Sequence, residues 1–225
     1  MKITWIGQAG LLIETDGKKI MVDPYLSDSV EAINPKNWRR VAVDESLFEE
    51  DIDMIVITHD HLDHLDPQTL ERFLKKDKIL TVLAPYNAWQ QVRKNGKDHN
   101  YVMFNRGTVW TQDGITFTAV KAEHSDLTAI GFIIDDGEFK VYVTGDTLYN
   151  KDIFPELPKN LDAVFLPVNG VGNNMNISDA KQFAKMTEAK KAIPIHWGMF
   201  DELDVSDFDL VNAIIPKIYE EVQFE

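Results

Sequence analysis

The chain has 225 residues, 44% of them hydrophobic, which is long enough for one domain with a substantial core. Its 23 Lys and Arg against 37 Asp and Glu leave a net charge of −14, which repels nucleic-acid phosphates and anionic membrane surfaces. The absence of cysteine excludes disulfides, thiolate metal sites and a cysteine nucleophile. We therefore expect a single domain over residues 1–225 that acts on a small molecule and has neither nucleic acid nor a membrane as its partner. Assembly into a homo-oligomer is left open.

The N-terminal segment does not have the pattern of an export signal. Residues 1–19 alternate like a strand, without an apolar stretch followed by a small-residue cleavage site. No apolar run approaches the roughly 18 residues of a membrane-spanning helix. These features predict a cytoplasmic protein.

The first half of the chain changes from hairpins to alternating strands and helices. Asp16-Gly17 is a strong hairpin turn, and Met54–Thr58 is a continuous apolar run typical of a strand buried on both faces. Asp66-Pro67 predicts an N-cap followed by Pro at the first helical position. Strands are predicted over 2–6, 11–15, 19–22, 54–58 and 78–84, and helices after Asp66-Pro67 and over 86–94.

The second half repeats this order, without a sequence repeat at a fixed period. We expect its hairpins to begin at Tyr101, and we expect a helix over 206–221 with a kink at Pro216. Two such halves predict an α/β fold, a four-layer αβ/βα sandwich of two mixed β-sheets with outer helices. The remaining predicted elements are strands over 101–104, 108–111, 115–121, 130–135, 139–144, 162–167 and 191–195, and a helix over 178–188.

Three of the six histidines fall in the segment His59-Asp60-His61-Leu62-Asp63-His64, directly after the buried strand. In an extended segment residues i and i+2 point the same way, so His59 and His61 can converge on one ion. The chain then turns toward the helix, where Asp63 and His64 can face a second position. Imidazole and carboxylate without thiolate favour Zn²⁺ and leave Mn²⁺ and Fe²⁺ open.

This segment resembles the H-x-H-x-D-H motif that lies between a strand and a helix in the metallo-β-lactamase superfamily. The similarity extends along nearly the whole chain, in the order expected for that family. It includes the early GQAG segment, Val22-Asp23-Pro24, His124 in AEHSD, Gly145-Asp146 after a strand, and His196 in PIHWG.

The resemblance implies the metallo-β-lactamase fold and a site for two divalent metal ions. One ion would be held by His59, His61 and His124, the other by Asp63, His64 and His196, and Asp146 would bridge both. His99, in a polar loop, has no matching position in the family and is expected to be exposed.

Such a pair of ions implies a dinuclear metal-dependent hydrolase. Two ions lower the pKa of a shared water and polarise a carbonyl or phosphoryl oxygen, so a metal-bound hydroxide is the expected nucleophile. Asp63 is the predicted catalytic residue, because a carboxylate beside the ions can orient the nucleophile or relay its proton.

The flanking segments are most similar to the branch that includes L-ascorbate-6-phosphate lactonase. The segments TWIGQAG, THDHLDHLD, PVNG and IPIH carry this similarity, which implies lactonase or esterase-type action on a small metabolite ester or lactone. Two alternatives remain. One is a metal-dependent phosphodiesterase or nuclease of the same fold, and the other is a non-catalytic metal-binding protein, against which the complete ligand set argues.

Five further residues are candidates for contact with a substrate. Loops at strand ends often line sites, and two of the candidates belong to an Asn- and Gly-rich loop of this kind, although such clusters are most often plain turns. Trp197 either lines the pocket or packs beside His196. Gln8 and Tyr25 reach the edge of the metal site from the first hairpins. These candidates are Asn169, Asn173, Trp197, Gln8 and Tyr25.

Overall fold

Two β-sheets of six strands each form the centre of the computed structural model, which describes residues 1–95 and 98–224. The first sheet contains, in order, β1 (Lys2–Gly7), β2 (Gly10–Thr15), β3 (Lys18–Val22), β4 (Met54–Val56), β5 (Thr81–Ala84) and β6 (Asn100–Met103). The second contains β7 (Val109–Gln112), β8 (Ile115–Lys121), β9 (Ile130–Asp135), β10 (Lys140–Val143), β11 (Ala163–Pro167) and β12 (Lys191–Ile195).

Both sheets are mixed, and each runs from antiparallel hairpins to parallel strands. Strands β1 to β3 pair antiparallel, and β3 to β6 pair parallel. Likewise β7 to β10 pair antiparallel, and β10 to β12 pair parallel. The described residues form the α-helices α1 (Ser29–Ile33), α2 (Pro67–Leu74), α3 (Tyr86–Val92) and α4 (Ile177–Thr187), and short 3₁₀ helices at Glu45–Glu49, Arg93–Asn95 and Lys151–Glu156. Within the described residues, no helix has both the length and the apolar character needed to cross a bilayer.

The hydrophobic residues are divided among three clusters that define four layers. The inner cluster joins the facing sides of the two sheets, for example Trp5 and Phe165. One outer cluster packs α2 and α3 on the first sheet, and the other packs α4 and its Phe183 on the second. The predicted αβ/βα sandwich of two mixed sheets is therefore confirmed.

The helix that follows the histidine-rich segment begins as the sequence predicts. The Asp66 carboxylate accepts a hydrogen bond from the Gln68 backbone N–H at 3.2 Å, and Pro67 is the first helical residue. Leu70, Phe73 and Leu74 are buried against the first sheet. This cap fixes where the extended segment ends and the helix starts, and so fixes the turn at residues 59–66.

The prediction that residues 101–104 open the second set of hairpins is wrong. Strand β6 pairs in parallel with β5, with Tyr101 opposite Val82, and completes the first sheet. The second sheet begins only at β7. Alternation along a strand reports which faces are buried, and it does not report which neighbour the strand pairs with.

The predicted helix over 206–221 is also absent, and this segment is irregular. Its backbone groups instead bond to the edge strands of both sheets. The Tyr219 N–H donates to the Trp5 carbonyl at 2.7 Å, and the Ile214 N–H donates to the Ala192 carbonyl at 2.9 Å. The segment therefore covers the otherwise open edges at β1 and β12.

His99 is buried, which contradicts the expectation that it is exposed. Its Nε2 donates to the Leu74 carbonyl at 2.8 Å, and its Nδ1 accepts from the Leu80 N–H at 3.2 Å. The ring thereby ties the end of α2 to the start of β5, which is a structural role.

We expect His99→Ala to lower the free energy of unfolding by about 1–3 kcal/mol, because the buried Leu80 N–H and Leu74 carbonyl lose their partner. Urea denaturation measures the change, and elemental analysis should show the same metal content as the wild type. Loss of metal with unchanged stability would instead place His99 in the functional site.

Candidate metal centre

Loops at the carboxyl ends of four strands bring the seven predicted ligands together. The segment after β4 supplies the four residues of the H-x-H-x-D-H motif. The segments after β8, β10 and β12 supply one residue each. The candidate ligand atoms form two groups, each with atoms within 4.8 Å of one another: His59, His61, His124 and Asp146, and then Asp63, His64 and His196.

The first group has three imidazoles arranged around a common centre. The ring centroid of His59 lies 4.6 Å from those of His61 and His124, which are themselves 4.7 Å apart. The shortest approach is 3.1 Å, between His124 Nε2 and His61 Nδ1. Three ring nitrogens this close together are a suitable set for one tetrahedral ion.

Asp146 lies between the two groups and faces both of them. Its Oδ2 is 3.9 Å from His59 Nε2, and its Oδ1 is 3.3 Å from both His64 Nε2 and His196 Nε2. The second group is completed by Asp63, whose Oδ2 is 3.3 Å from His196 Nε2. This placement suits the bridging position that the family resemblance implies for Asp146.

Several atoms of this cluster are buried without a hydrogen-bond partner among the described residues. These atoms are His59 Nε2, His64 Nε2 and Asp146 Oδ1. Buried polar atoms without a partner are costly and rare, and here they point toward one another. Imidazole nitrogens and a carboxylate oxygen are ligands of divalent ions such as Zn²⁺, so the residues present fit such ions.

The histidines and aspartates of the cluster strongly shift one another's pKa. Burial alone would raise the pKa of Asp146, but His196 and His64 hold it well below its usual value. Burial alone would lower the pKa of His64, but Asp146, Asp63 and Asp23 outweigh burial and raise it well above its usual value. The same carboxylates of Asp146 and Asp63, acting against burial, raise the pKa of His196 to about 9. Positive charge is therefore required beside these buried carboxylates, and divalent ions supply the same charge.

The backbone at the site takes conformations that few residues adopt. Gly145 has φ +60°, and a Cβ there would lie 2.7 Å from the Ile130 carbonyl oxygen, so glycine is needed just before Asp146. His196 has φ +62°, in the left-handed region that is strained for a non-glycine residue, and its N–H donates to the Gln8 carbonyl at 2.9 Å. Strained backbone at ligand positions is typical of functional sites.

Two residues that sequence reasoning gave no role fix the orientation of two histidine rings. Asp23 accepts hydrogen bonds from the Thr58 N–H at 2.8 Å and the Thr58 hydroxyl at 2.5 Å, and it also lies 2.8 Å from His64 Nδ1. The Thr58 oxygen lies 3.1 Å from His59 Nδ1. With its hydroxyl donating to Asp23, Thr58 accepts from His59 Nδ1–H, so this network leaves Nε2 of both rings free to bind a cation.

The Asn- and Gly-rich loop after β11 reaches the site through three of its asparagines. The Asn174 amide donates to Asp146 Oδ2 at 2.9 Å. The Asn173 backbone carbonyl accepts from His124 Nδ1 at 3.3 Å, and the Asn169 side chain lines the adjoining cavity. Whether Asn169 and Asn173 contact a substrate stays a prediction.

The remaining three substrate candidates lie at different distances from the ligand cluster. Gln8 reaches it, since its Nε2 donates to Asp63 Oδ2 at 2.7 Å. Tyr25 lies behind Phe200 of the cavity wall. Its ring is edge-on to the Phe200 ring, with 5.5 Å between the two centroids. Trp197 packs against Trp5 at 5.1 Å and is not among the described residues that line the cavity.

A cavity of about 260 Å³ opens beside the cluster. Its carboxylates are Asp63, Asp146 and Asp201, and its side-chain amides are Gln8, Asn37, Asn169 and Asn174. Val30, Val171 and Phe200 form its apolar wall, and His61, His196 and Gly172 complete the lining. Sequence reasoning missed Val30, Asn37, Phe200 and Asp201 because their segments show no period and no motif.

Comparison with known proteins gives a consistent result. Residues 18–197 match the family described as "Beta-lactamase superfamily domain". A "UPF0173 metal-dependent hydrolase" of Aeropyrum pernix is 31% identical over 219 residues, which cover 90% of this chain and 84% of the relative.

Solved structures share the fold at lower identity. A metallo hydrolase from Ignicoccus hospitalis has a TM-score of 0.76 at 22% identity, covering 98% of this chain and 97% of its own. An isothiocyanate hydrolase from Delia radicum gut bacteria has a TM-score of 0.78 at 21% identity, with 99% of both chains covered. At such identities the likeness concerns the fold alone.

We expect Thr58→Val to weaken Zn²⁺ binding about 10- to 100-fold, because His59 loses the acceptor that orients it and Asp23 loses a donor. Competition with a coloured chelator measures the affinity. Thr187→Val is the matched control, since that buried hydroxyl donates to the Ala184 carbonyl within α4. Equal Zn²⁺ affinities for the two variants would contradict the orienting role of Thr58.

Proposed function

The chain belongs to the metallo-β-lactamase superfamily, and on that premise we propose that it is a metal-dependent hydrolase of small carboxylic esters or lactones. The observation that carries the proposal is the convergence of seven histidine and aspartate side chains from four loops, four of which (His61, Asp63, Asp146 and His196) line the adjoining cavity. Three of their buried atoms have no hydrogen-bond partner within the described part of the chain.

Two ions fit the seven side chains, and Zn²⁺ suits their ligand chemistry. His59, His61 and His124 would hold one ion, and Asp63, His64 and His196 the other. The two oxygens of Asp146 face the two groups separately, which supports a bridging role. When bound, such ions activate a water and polarise a carbonyl oxygen.

The chain's own residues position the reactants. The Asp63 side chain is about a fifth exposed and lines the cavity. Its carboxylate can therefore orient an attacking water by accepting a hydrogen bond from it. The Gln8 amide holds Asp63 in place through the bond to Oδ2. The Asn174 amide does the same for Asp146, so both carboxylates are fixed before a substrate arrives.

A phosphodiesterase or nuclease is the less suitable function for this cavity. Its described lining contains no Lys or Arg, its Asp201 carboxylate lies outside the ligand cluster, and the chain as a whole carries a net charge of −14. A polynucleotide needs Lys or Arg beside its phosphates. The cytoplasmic location and the absence of nucleic-acid and membrane partners stay part of this proposal.

We expect His61→Ala to lose metal and hydrolytic activity together, because the first group of ligands then keeps only two imidazoles and Asp146. Elemental analysis and turnover of an ester and lactone panel measure the two effects. His99→Ala is the control, since it removes an imidazole outside the site. Unchanged metal content in His61→Ala would contradict the proposal.

The same panel separates the alternatives when bis-p-nitrophenyl phosphate is included. Turnover of esters or lactones by metal-loaded protein supports the proposal. Turnover of the diester alone would make the protein a phosphodiesterase, and full metal content without any turnover would make it a non-catalytic metal-binding protein.

A further inference from the structure

The cavity beside the ligand cluster has a charge pattern that bears on the substrate, if the proposed function holds. At about 260 Å³ it is smaller than the pockets of roughly 300–1,000 Å³ that take drug-sized ligands, so it fits a small substrate group. Its described lining contains three carboxylates and no Lys or Arg. The part of the substrate that extends away from the reacting bond therefore finds no cationic side chain there.

Two of the three carboxylates belong to the ligand cluster, but Asp201 does not. The Asp201 Oδ1 accepts hydrogen bonds from the backbone N–H groups of Gly198 and Leu203, both at 3.0 Å. These two bonds hold the carboxylate in a fixed turn. Asp201 is thus a fixed negative charge in the cavity wall that ions bound at the cluster do not use.

Two arginines lie close to this wall along the chain. Arg39 donates to the Ser27 carbonyl and lies over the Tyr25 ring, with 4.7 Å to its centroid. Arg40 lies over the Trp38 ring, its Nε is 3.8 Å from Glu202 Oε1, and its buried Nε and Nη1 have no hydrogen-bond partner among the described residues. Neither is among the described residues that line the cavity.

A second cleft, of about 430 Å³, adjoins His124 and contains two cations. Both are paired. Arg106 bonds to Glu156 at 2.9 Å, and Lys121 Nζ lies 3.3 Å from Glu123. This cleft therefore offers no uncompensated positive charge for an anionic substrate group either.

The rest of the cavity wall suits an uncharged group. Val30, Val171 and Phe200 supply apolar contact, and the ring of Tyr25 packs against Phe200. Asn37 and Asn169 add uncharged polar residues to this lining. An apolar tail with at most neutral polar atoms is what this surface fits.

We propose that the substrate of this hydrolase carries an uncharged, partly apolar group beyond its reacting bond, and that Asp201 excludes phosphorylated and carboxylated analogues. A negative tail would lie beside the Asp201 carboxylate with no Lys or Arg among the described lining residues, and like charges in contact are strongly unfavourable. Asp201 is thus a specificity-determining residue of the chain.

Matched hydroxamates test this inference, because a hydroxamate binds divalent ions and leaves its tail in the cavity. Pentanohydroxamic acid has a methyl end, and glutaric acid monohydroxamate replaces that methyl by a carboxylate. Isothermal titration calorimetry on the zinc-loaded protein should give a Kd for the methyl-ended probe that is at least about tenfold lower than the Kd for the carboxylate-ended probe. Asp201→Asn should bring the ratio of the two Kd values closer to one. The substitution keeps the Oδ1 acceptor for the N–H groups of Gly198 and Leu203.

Asp204→Asn is the matched control, since this exposed aspartate also accepts a hydrogen bond from a backbone N–H, that of Ser206, and does not line the cavity. It should keep the wild-type ratio. Equal or tighter binding of the carboxylate-ended probe by the wild type, or an unchanged ratio of Kd values in Asp201→Asn, would overturn this inference. Either result would leave the proposed function intact. Binding of neither hydroxamate to zinc-loaded protein would contradict the proposed function, and the inference would fall with it.

Discussion

The buried carboxylate of Asp146 is the group on which the site depends. It lies between His59 on one side and His64 and His196 on the other, almost entirely out of water. A carboxylate in such a place is stable only beside positive charge. The two sheets must pack so that loops from both of them reach this one anion, and the need for a cation there links the fold to the chemistry.

The two halves of the molecule are joined at the same place by backbone hydrogen bonds. The Ile130 N–H in the second sheet donates to the Thr58 carbonyl after β4, and the His196 N–H donates to the Gln8 carbonyl, at 3.0 and 2.9 Å. Thr58 and Gln8 also hold site side chains through Asp23 and Asp63. The contacts that unite the halves therefore also orient the ligands, which explains why strained backbone is tolerated at His196.

The candidate ligands and the rest of the cavity wall come from different parts of the chain. The candidate ligands follow strand ends, where the sheets hold them in place. The cavity wall beyond them comes from α1 and from irregular segments that contain Asn37, Val171 and Asp201. Such segments vary without disturbing the sheets, so a common metal centre can serve different substrates.

The sequence by itself determined the features that local spacing controls. The i, i+2 spacing of His59 and His61, the Asp66-Pro67 helix start and the buried run that begins at Met54 each depend on a few neighbouring residues, and the structure has all three. Tertiary structure alone decided that β6 joins the first sheet, that residues 206–221 bond to sheet edges, and that His99 is buried. It also placed Asp201 in the cavity wall. These outcomes depend on which distant segments pack together, and periodicity records only that a face is buried and not what covers it.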